Sequence, residues 1–319
     1  AAKSGHQAPD LWAGPPGIRA PRRRIFRIEE RESDTGPTAG AGGKSGEPLP
    51  GFDRSTWEGT LMTRQVTFEV RKAITLPSTS WLMLAMVIVG VAFCAMLGFA
   101  AVGPTSPIDT ANAAGVAGLY NLPITMGSVL PLSLGVILVT AEFQHRTMTI
   151  THLAEPRIWR VYLGKLLVSG LGGGVMAVLT MASAVTVVGL ILHRGAGTSF
   201  LDTVQVQFTV AGSIVAFVLW AIIGAGLGAA IANQTLAIVG VLLFTVFLEP
   251  FLRIVAGPNF IFLTQFLPGS ASDALAGGSL LNVAIGAQGA AQWQGGVTLA
   301  AYALLITAIG FLRLRALDS

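Results

Sequence analysis

The chain has 319 residues, 52% hydrophobic and 11% charged, whereas a soluble domain carries about 25% charged residues. With a mean hydropathy of +0.67, this composition excludes an ordinary soluble protein and describes a polytopic membrane protein. The formal net charge of +4 does not point to nucleic acid, because the basic residues lie beside apolar runs, where membrane topology and anionic lipid account for them.

Residues 1–52 read as a first domain, a disordered cytoplasmic tail. Gly, Pro, Ser, Arg and Glu dominate it, and apolar residues are too sparse to bury a core. Arg22, Arg23 and Arg24 lead only to Ile25, Phe26 and then Glu29 and Glu30, which is not the pattern of a signal peptide. Gly43-Lys44-Ser45 has the end of a phosphate-binding loop but Thr38 where its first glycine is required, and it is discarded as a nucleotide site.

Residues 53–319 form the second domain. Between Asp53 and Leu76, Met62, Val66, Val70 and Ala73 recur at helical spacing, with Arg64, Arg71 and Lys72 off that stripe. An N-terminal interfacial helix is expected, its apolar face toward acyl chains and its cations toward head groups. Trp57, Leu61 and Phe68 lie on the other side and depart from that pattern.

Apolar runs of about 20 residues then predict transmembrane helices. They number six, over Ser80–Ala101, Val116–Ala141, Val161–Leu192, Phe208–Ala232, Thr235–Val255 and Gly296–Leu312. Pro123 and Pro131 predict a kinked or broken second span. Cys94, the one cysteine, lies inside the first span, so internal disulfides and cysteine-based metal motifs are excluded. Gly172, Gly173 and Gly174 are expected to permit bending in the third span. Gly224 and Gly228, with small-x-x-x-small spacing, predict a helix-packing seam in the fourth. Asn233 and Gln234 read as a tight turn between the fourth and fifth.

The longest polar connection between spans runs from Thr140 to Lys165 and carries Glu142, His145, Arg146, Arg157, Arg160 and Lys165. Pro156 ends any helix that begins near Phe143. Basic residues precede the first span as Arg64, Arg71 and Lys72, fill this connection and follow the last span as Arg313 and Arg315. The connection and both termini are therefore expected on the cytoplasmic side of the cell's inner (plasma) membrane. Gly257–Gly295 is then external, has no Lys or Arg, and is too apolar for a water-exposed loop. A re-entrant helical hairpin is expected, with a helix at about Asn259–Phe266, a turn at Pro268-Gly269 and a second helix near Ala271–Ala276.

Charged residues inside spans are costly and usually have a reason. Glu249 and Arg253 are four apart on one face of the fifth span, with Pro250 between them. They read as a contact at an outward gate or as an ion pair anchoring the helix near the outer interface, where the cost of desolvation falls. The histidines, His6, His145, His152 and His193, form no metal-binding or catalytic constellation with cysteines or clustered carboxylates. No catalytic, cofactor or metal site is expected in the chain.

Three stretches carry a family resemblance. They are Glu142-Phe143-Gln144-His145-Arg146-Thr147 followed by Pro156-Arg157, the run from Gly224 to Glu249-Pro250, and Phe266-Leu267-Pro268-Gly269-Ser270-Ala271-Ser272-Asp273-Ala274-Leu275. From about Asp53 onward the chain resembles a permease of the type-2 ABC transporter family, in particular its actinobacterial-looking branch.

The resemblance implies an all-α membrane protein of six transmembrane helices. It adds an interfacial helix before the first span, a cytoplasmic coupling helix between the second and third, and re-entrant helices between the fifth and sixth. It also implies a separate ABC ATPase subunit that binds ATP and Mg, and a second permease copy, either the same chain or a close paralogue. Glu142, Phe143, His145, Arg146, Thr147, Pro156 and Arg157 would then seat the coupling helix on the ATPase. The cargo expected is an amphipathic or lipidic compound, drug or peptide, moved outward. The alternative is a membrane-complex subunit that transports nothing, or a secondary transporter; near-absence of midplane charge counts against the carrier.

Overall fold

The computed structural model describes residues 67, 69–71, 73, 77–104, 106, 108–144, 158–256, 261–278 and 289–317, the side chains of residues 114, 142–144, 261 and 317 excepted. Contacts divide the chain into two units, Ala1–Phe52 and Asp53–Ser319, of which the first lies outside the described residues. Among the described residues the second unit is helical and contains no strand.

Among the described residues, six helices are long and apolar enough to cross a bilayer. Span 1 is α1 (Pro77–Val102), and span 2 comprises α2 (Ala113–Tyr120), α3 (Leu122–Gly127) and α4 (Val129–Gln144). Span 3 is α5 (Ile158–Gly195), and span 4 is α6 (Val204–Ile231). Span 5 comprises α7 (Gln234–Leu242), a π-helical stretch (Leu243–Leu248) and α8 (Glu249–Ala256). Two short helices follow, α9 (Ile261–Thr264) and α10 (Pro268–Leu275), before span 6, which is α11 (Gln292–Leu317).

The breaks in span 2 fall where the prolines require them. Pro123 and Pro131 each sit in the first turn of a new helix, where a missing N–H costs no intrahelical bond. Upstream, Asn112 caps α2 by accepting a hydrogen bond from the Gly115 N–H at 2.8 Å. Span 5 meets its proline differently. Pro250 has no N–H, and its ring crowds the carbonyl of Val246. The helix widens just before it, and the Glu249 N–H bonds to the Phe244 carbonyl five residues back.

Spans 3, 4 and 6 run past their apolar runs because polar end residues continue the helix. At 1.5 Å per residue, the 38 residues of α5 reach about 57 Å, well beyond a hydrocarbon core of about 30 Å. The turn between spans 4 and 5 is shorter than its two polar residues suggest. Ala232 takes the left-handed conformation, Asn233 caps α7 by accepting from the Leu236 N–H, and Gln234 already belongs to the helix.

Span 4 lies at the centre, with α4, α5 and α11 packed around it. A Cβ on Gly224 would lie 2.0 Å from the Leu132 carbonyl oxygen, and one on Gly135 would lie 1.9 Å from that of Ala221. The backbones of spans 2 and 4 therefore touch at two levels. Gly228 continues this seam against Val136, while Gly226 faces Thr307 of span 6. The Gly172–Gly174 run lies within one uninterrupted helix, and Gly173 meets Ala221 and the Phe217 carbonyl of span 4. Close approach to span 4 is the use found for that glycine.

Spans 1, 3 and 5 finish at the same end, here called the distal end. Gly195 meets Val102 there, and the Tyr120 hydroxyl donates to the Ser199 carbonyl at 2.8 Å. At the opposite, proximal end the Tyr162 hydroxyl donates to the Thr307 carbonyl at 2.8 Å. Buried Glu69 there accepts from Lys165 at 3.2 Å. Val70 and Ala73, expected to face acyl chains, are partly buried and pack against the main hydrophobic cluster, while Arg71 is exposed.

Candidate functional site: a buried ion cluster at the distal end

The fifth span brings Glu249 and Arg253 onto one face of α8, one turn apart. Their side chains meet at 2.5 Å between Arg253 Nη2 and Glu249 Oε1, and both are buried. The pair extends to Asp273 of α10, whose Oδ2 accepts from Arg253 Nη1 at 2.7 Å. Asp273 is the sole charged residue between Gly257 and Gly295, and the far side of its carboxylate accepts from the Thr125 hydroxyl of α3 at 3.0 Å. One guanidinium thus joins span 5, α10 and, through Asp273, span 2.

Glu249 has a second task. Pro268 opens α10, and its N-cap position, Leu267, has no side-chain oxygen to satisfy the first backbone donors. The Glu249 carboxylate supplies the cap from another helix, accepting from the Gly269 N–H at 2.9 Å and the Ser270 N–H at 2.6 Å. A carboxylate is favoured there because the amino end of a helix carries partial positive charge. Gly269 makes the contact possible, since a Cβ at that position would lie 2.6 Å from Glu249 Oε1. Expectation and structure differ on this point. Pro268-Gly269 begins a helix rather than forming the turn between two, because its donors are met by a residue remote in sequence.

Neighbouring bonds hold α10 against the bundle. The indole N–H of Trp220 in span 4 donates to Ser272 Oγ at 3.0 Å. The Asn121 side-chain amide, at the break between α2 and α3, donates to the Ala276 carbonyl at 3.2 Å and also to that of Gly278. Gly277, at φ +89°, carries the chain out of α10 in a conformation that favours glycine.

A cavity of about 190 Å³ lies beside the cluster, between α3, the start of α4, span 5 and α10. Its polar wall includes Thr125, Ser128, Thr245, Glu249, Arg253 and Asp273. Among the described residues, Arg253 Nε is buried without an acceptor, and no group of three or more His, Cys, Asp or Glu is placed to hold a metal ion.

Of the residues singled out in the sequence, Glu249 and Arg253 come together, and Gly224 and Gly228 lie on the seam between spans 4 and 2. Glu142 and Phe143 fall in the last turn of α4, by backbone alone. His145, Arg146, Thr147, Pro156 and Arg157 lie outside the described residues. Sequence reasoning missed Asp273 as the third ion and Thr125 as its second partner. A usable signal was present, because a lone carboxylate in an apolar segment free of Lys and Arg needs a cation from elsewhere, and Arg253 is near in sequence.

No protein-family model matches this chain, and no curated protein matches it. Geometry and residue chemistry therefore carry the functional reading.

Proposed function

We propose that this chain is the membrane permease subunit of an ATP-driven exporter of the type-2 ABC kind. In this reading two permease copies work with two separate ATPase subunits in the plasma membrane, with both termini cytoplasmic. The cargo is an amphipathic or lipidic compound, drug or peptide, moved outward. The segment before span 1 acts as an interfacial helix, the connection between α4 and α5 as the coupling helix, and α9 with α10 as a re-entrant hairpin at the external end.

The observation that carries the reading is the meeting of two of the stretches that bear the family resemblance. Glu249-Pro250 closes one and Pro268 to Leu275 lies in the other, and they join through the cap and ion cluster at the distal end. Such a joint suits an external closure, because it ties α8 of span 5 to α10 and, through Asp273, to span 2, and these three elements must part for the end to open. Closure of an ATPase dimer is a rigid-body movement, and a short helix seated on the ATPase transmits it to the spans.

Co-purification from membranes tests the reading. An ATPase is expected to accompany the chain, and replacing Phe143, Arg146 and Thr147 with Ala is expected to weaken its association or uncouple hydrolysis from transport. A protein that transports when reconstituted alone, with no ATPase, would overturn the proposal.

A further inference from the structure

The ion cluster is not balanced within itself. Two carboxylates, Glu249 and Asp273, share one guanidinium, Arg253, which leaves one net negative charge among buried side chains. The amino end of α10 offsets only about half a charge, and a buried charge left uncompensated is costly. Each Asp273 oxygen takes one of the two hydrogen bonds it can accept, from Thr125 and Arg253. Arg253 keeps one buried N–H, at Nε, with no acceptor among the described residues. These unmet groups belong to residues that line the same cavity.

The cavity has a second, apolar border. Met126 and Val246 line it and are 47% and 49% exposed, so it opens between spans 2 and 5 past exposed apolar side chains. A molecule entering there needs an apolar tail outside and a polar head within. We propose that the cavity binds the headgroup of a cationic amphiphile, an ammonium nitrogen with a hydroxyl or ether oxygen beside it. The ammonium balances the cluster and donates to Asp273 and to the hydroxyl oxygen of Thr125 or Thr245. The adjacent oxygen accepts from Arg253 Nε, and the tail leaves past Met126 and Val246. An anionic head would add to the charge already in excess, and a neutral head would leave it standing.

As a statement about cargo, this assignment rests on the exporter reading, but binding itself requires neither ATP nor an ATPase. The test uses the full chain in phosphatidylcholine nanodiscs and tritiated 2-aminododecanol in a scintillation proximity assay. Saturable binding is expected, with dodecanol and dodecanoate competing about tenfold less well or worse, as the loss of a charge-assisted hydrogen bond predicts. Asp273→Asn should weaken binding by a similar factor. Because that variant also removes a buried partner of Arg253, Met126→Trp serves beside it, filling the mouth from an exposed position. Binding that survives Met126→Trp, or dodecanoate competing as well as the amine, would overturn the assignment, as would the absence of saturable binding. Saturable binding without ATP-driven movement in the assembled complex would overturn the exporter reading alone.

Discussion

Spans 2 and 5 both depart from a regular α-helix, yet they are held in opposite ways. In the most apolar part of span 2, 78% of residues are buried, against 11% in span 5. Span 2 breaks twice inside the protein and is fixed by packing, with Leu132, Leu134 and Val136 fully buried and its backbone against Gly224. Span 5 is exposed along Leu243, Phe247 and Phe251. Among apolar helices in lipid there is little hydrophobic drive to associate, so packing and polar bonds must do it. At the proximal end Thr140 comes within 3.5 Å of Gln234, and at the distal end the ions take over. A span with few buried apolar contacts thus carries the most demanding polar ones.

Arg253→Met is the strongest way to break this comparison. It strands two buried carboxylates, and breaking a buried ionic group in this way costs about 3–5 kcal/mol. The loss should be read as a fall in the thermal midpoint of the purified, detergent-solubilised protein. Adding Glu249→Gln and Asp273→Asn should return part of it, because replacing a whole buried ionic group costs far less than breaking it. An unchanged midpoint in Arg253→Met would mean that apolar contact holds span 5 after all.

The apolar contribution is compared by truncating one side chain in each span. Leu134→Ala, at a fully buried position, should cost about 2–5 kcal/mol. Phe247→Ala, where the side chain is 63% exposed, should stay within about 0.5 kcal/mol. Equal losses in parallel denaturation curves would erase the distinction between the spans.

A smaller effect sharpens it through glycine. Gly224→Ala pushes a methyl toward the backbone of span 2 and should cost about 1–3 kcal/mol. In span 5, a Cβ on Gly240 would meet nothing within 4 Å, so Gly240→Ala should raise stability by about 0.5–1 kcal/mol through helix propensity. Destabilisation at Gly240 would reveal a partner on that face.

The six spans were legible because their signal is local, an apolar run long enough to cross a bilayer. The Gly224 and Gly228 seam was legible for the same reason, since its spacing puts both on one helix face. Span ends were less so, because His193, Arg194, Gln292 and Trp293 lie beyond the apolar runs yet continue the helices. The start of α10 was misread because Pro268-Gly269 has turn chemistry locally, while the carboxylate that makes it a helix start belongs to Glu249. Half of the ion cluster could be read from an i, i+4 spacing. The other half, Asp273 with Thr125, depends on α10 folding back onto span 2, which no local pattern encodes.

The shared carboxylate of Glu249 also limits how the distal end can fail. One side chain belongs to span 5, completes the first turn of α10 and balances the cation that holds Asp273. Pulling α10 away uncaps its helix and strips Arg253 of a partner in the same movement, while tilting α8 does both from the other side. Partial separation leaves unpaired charge in a medium that does not solvate it. Intermediate positions are therefore the least comfortable ones, and the joint behaves as a snap fastener, shut or open, rather than as a hinge that drifts.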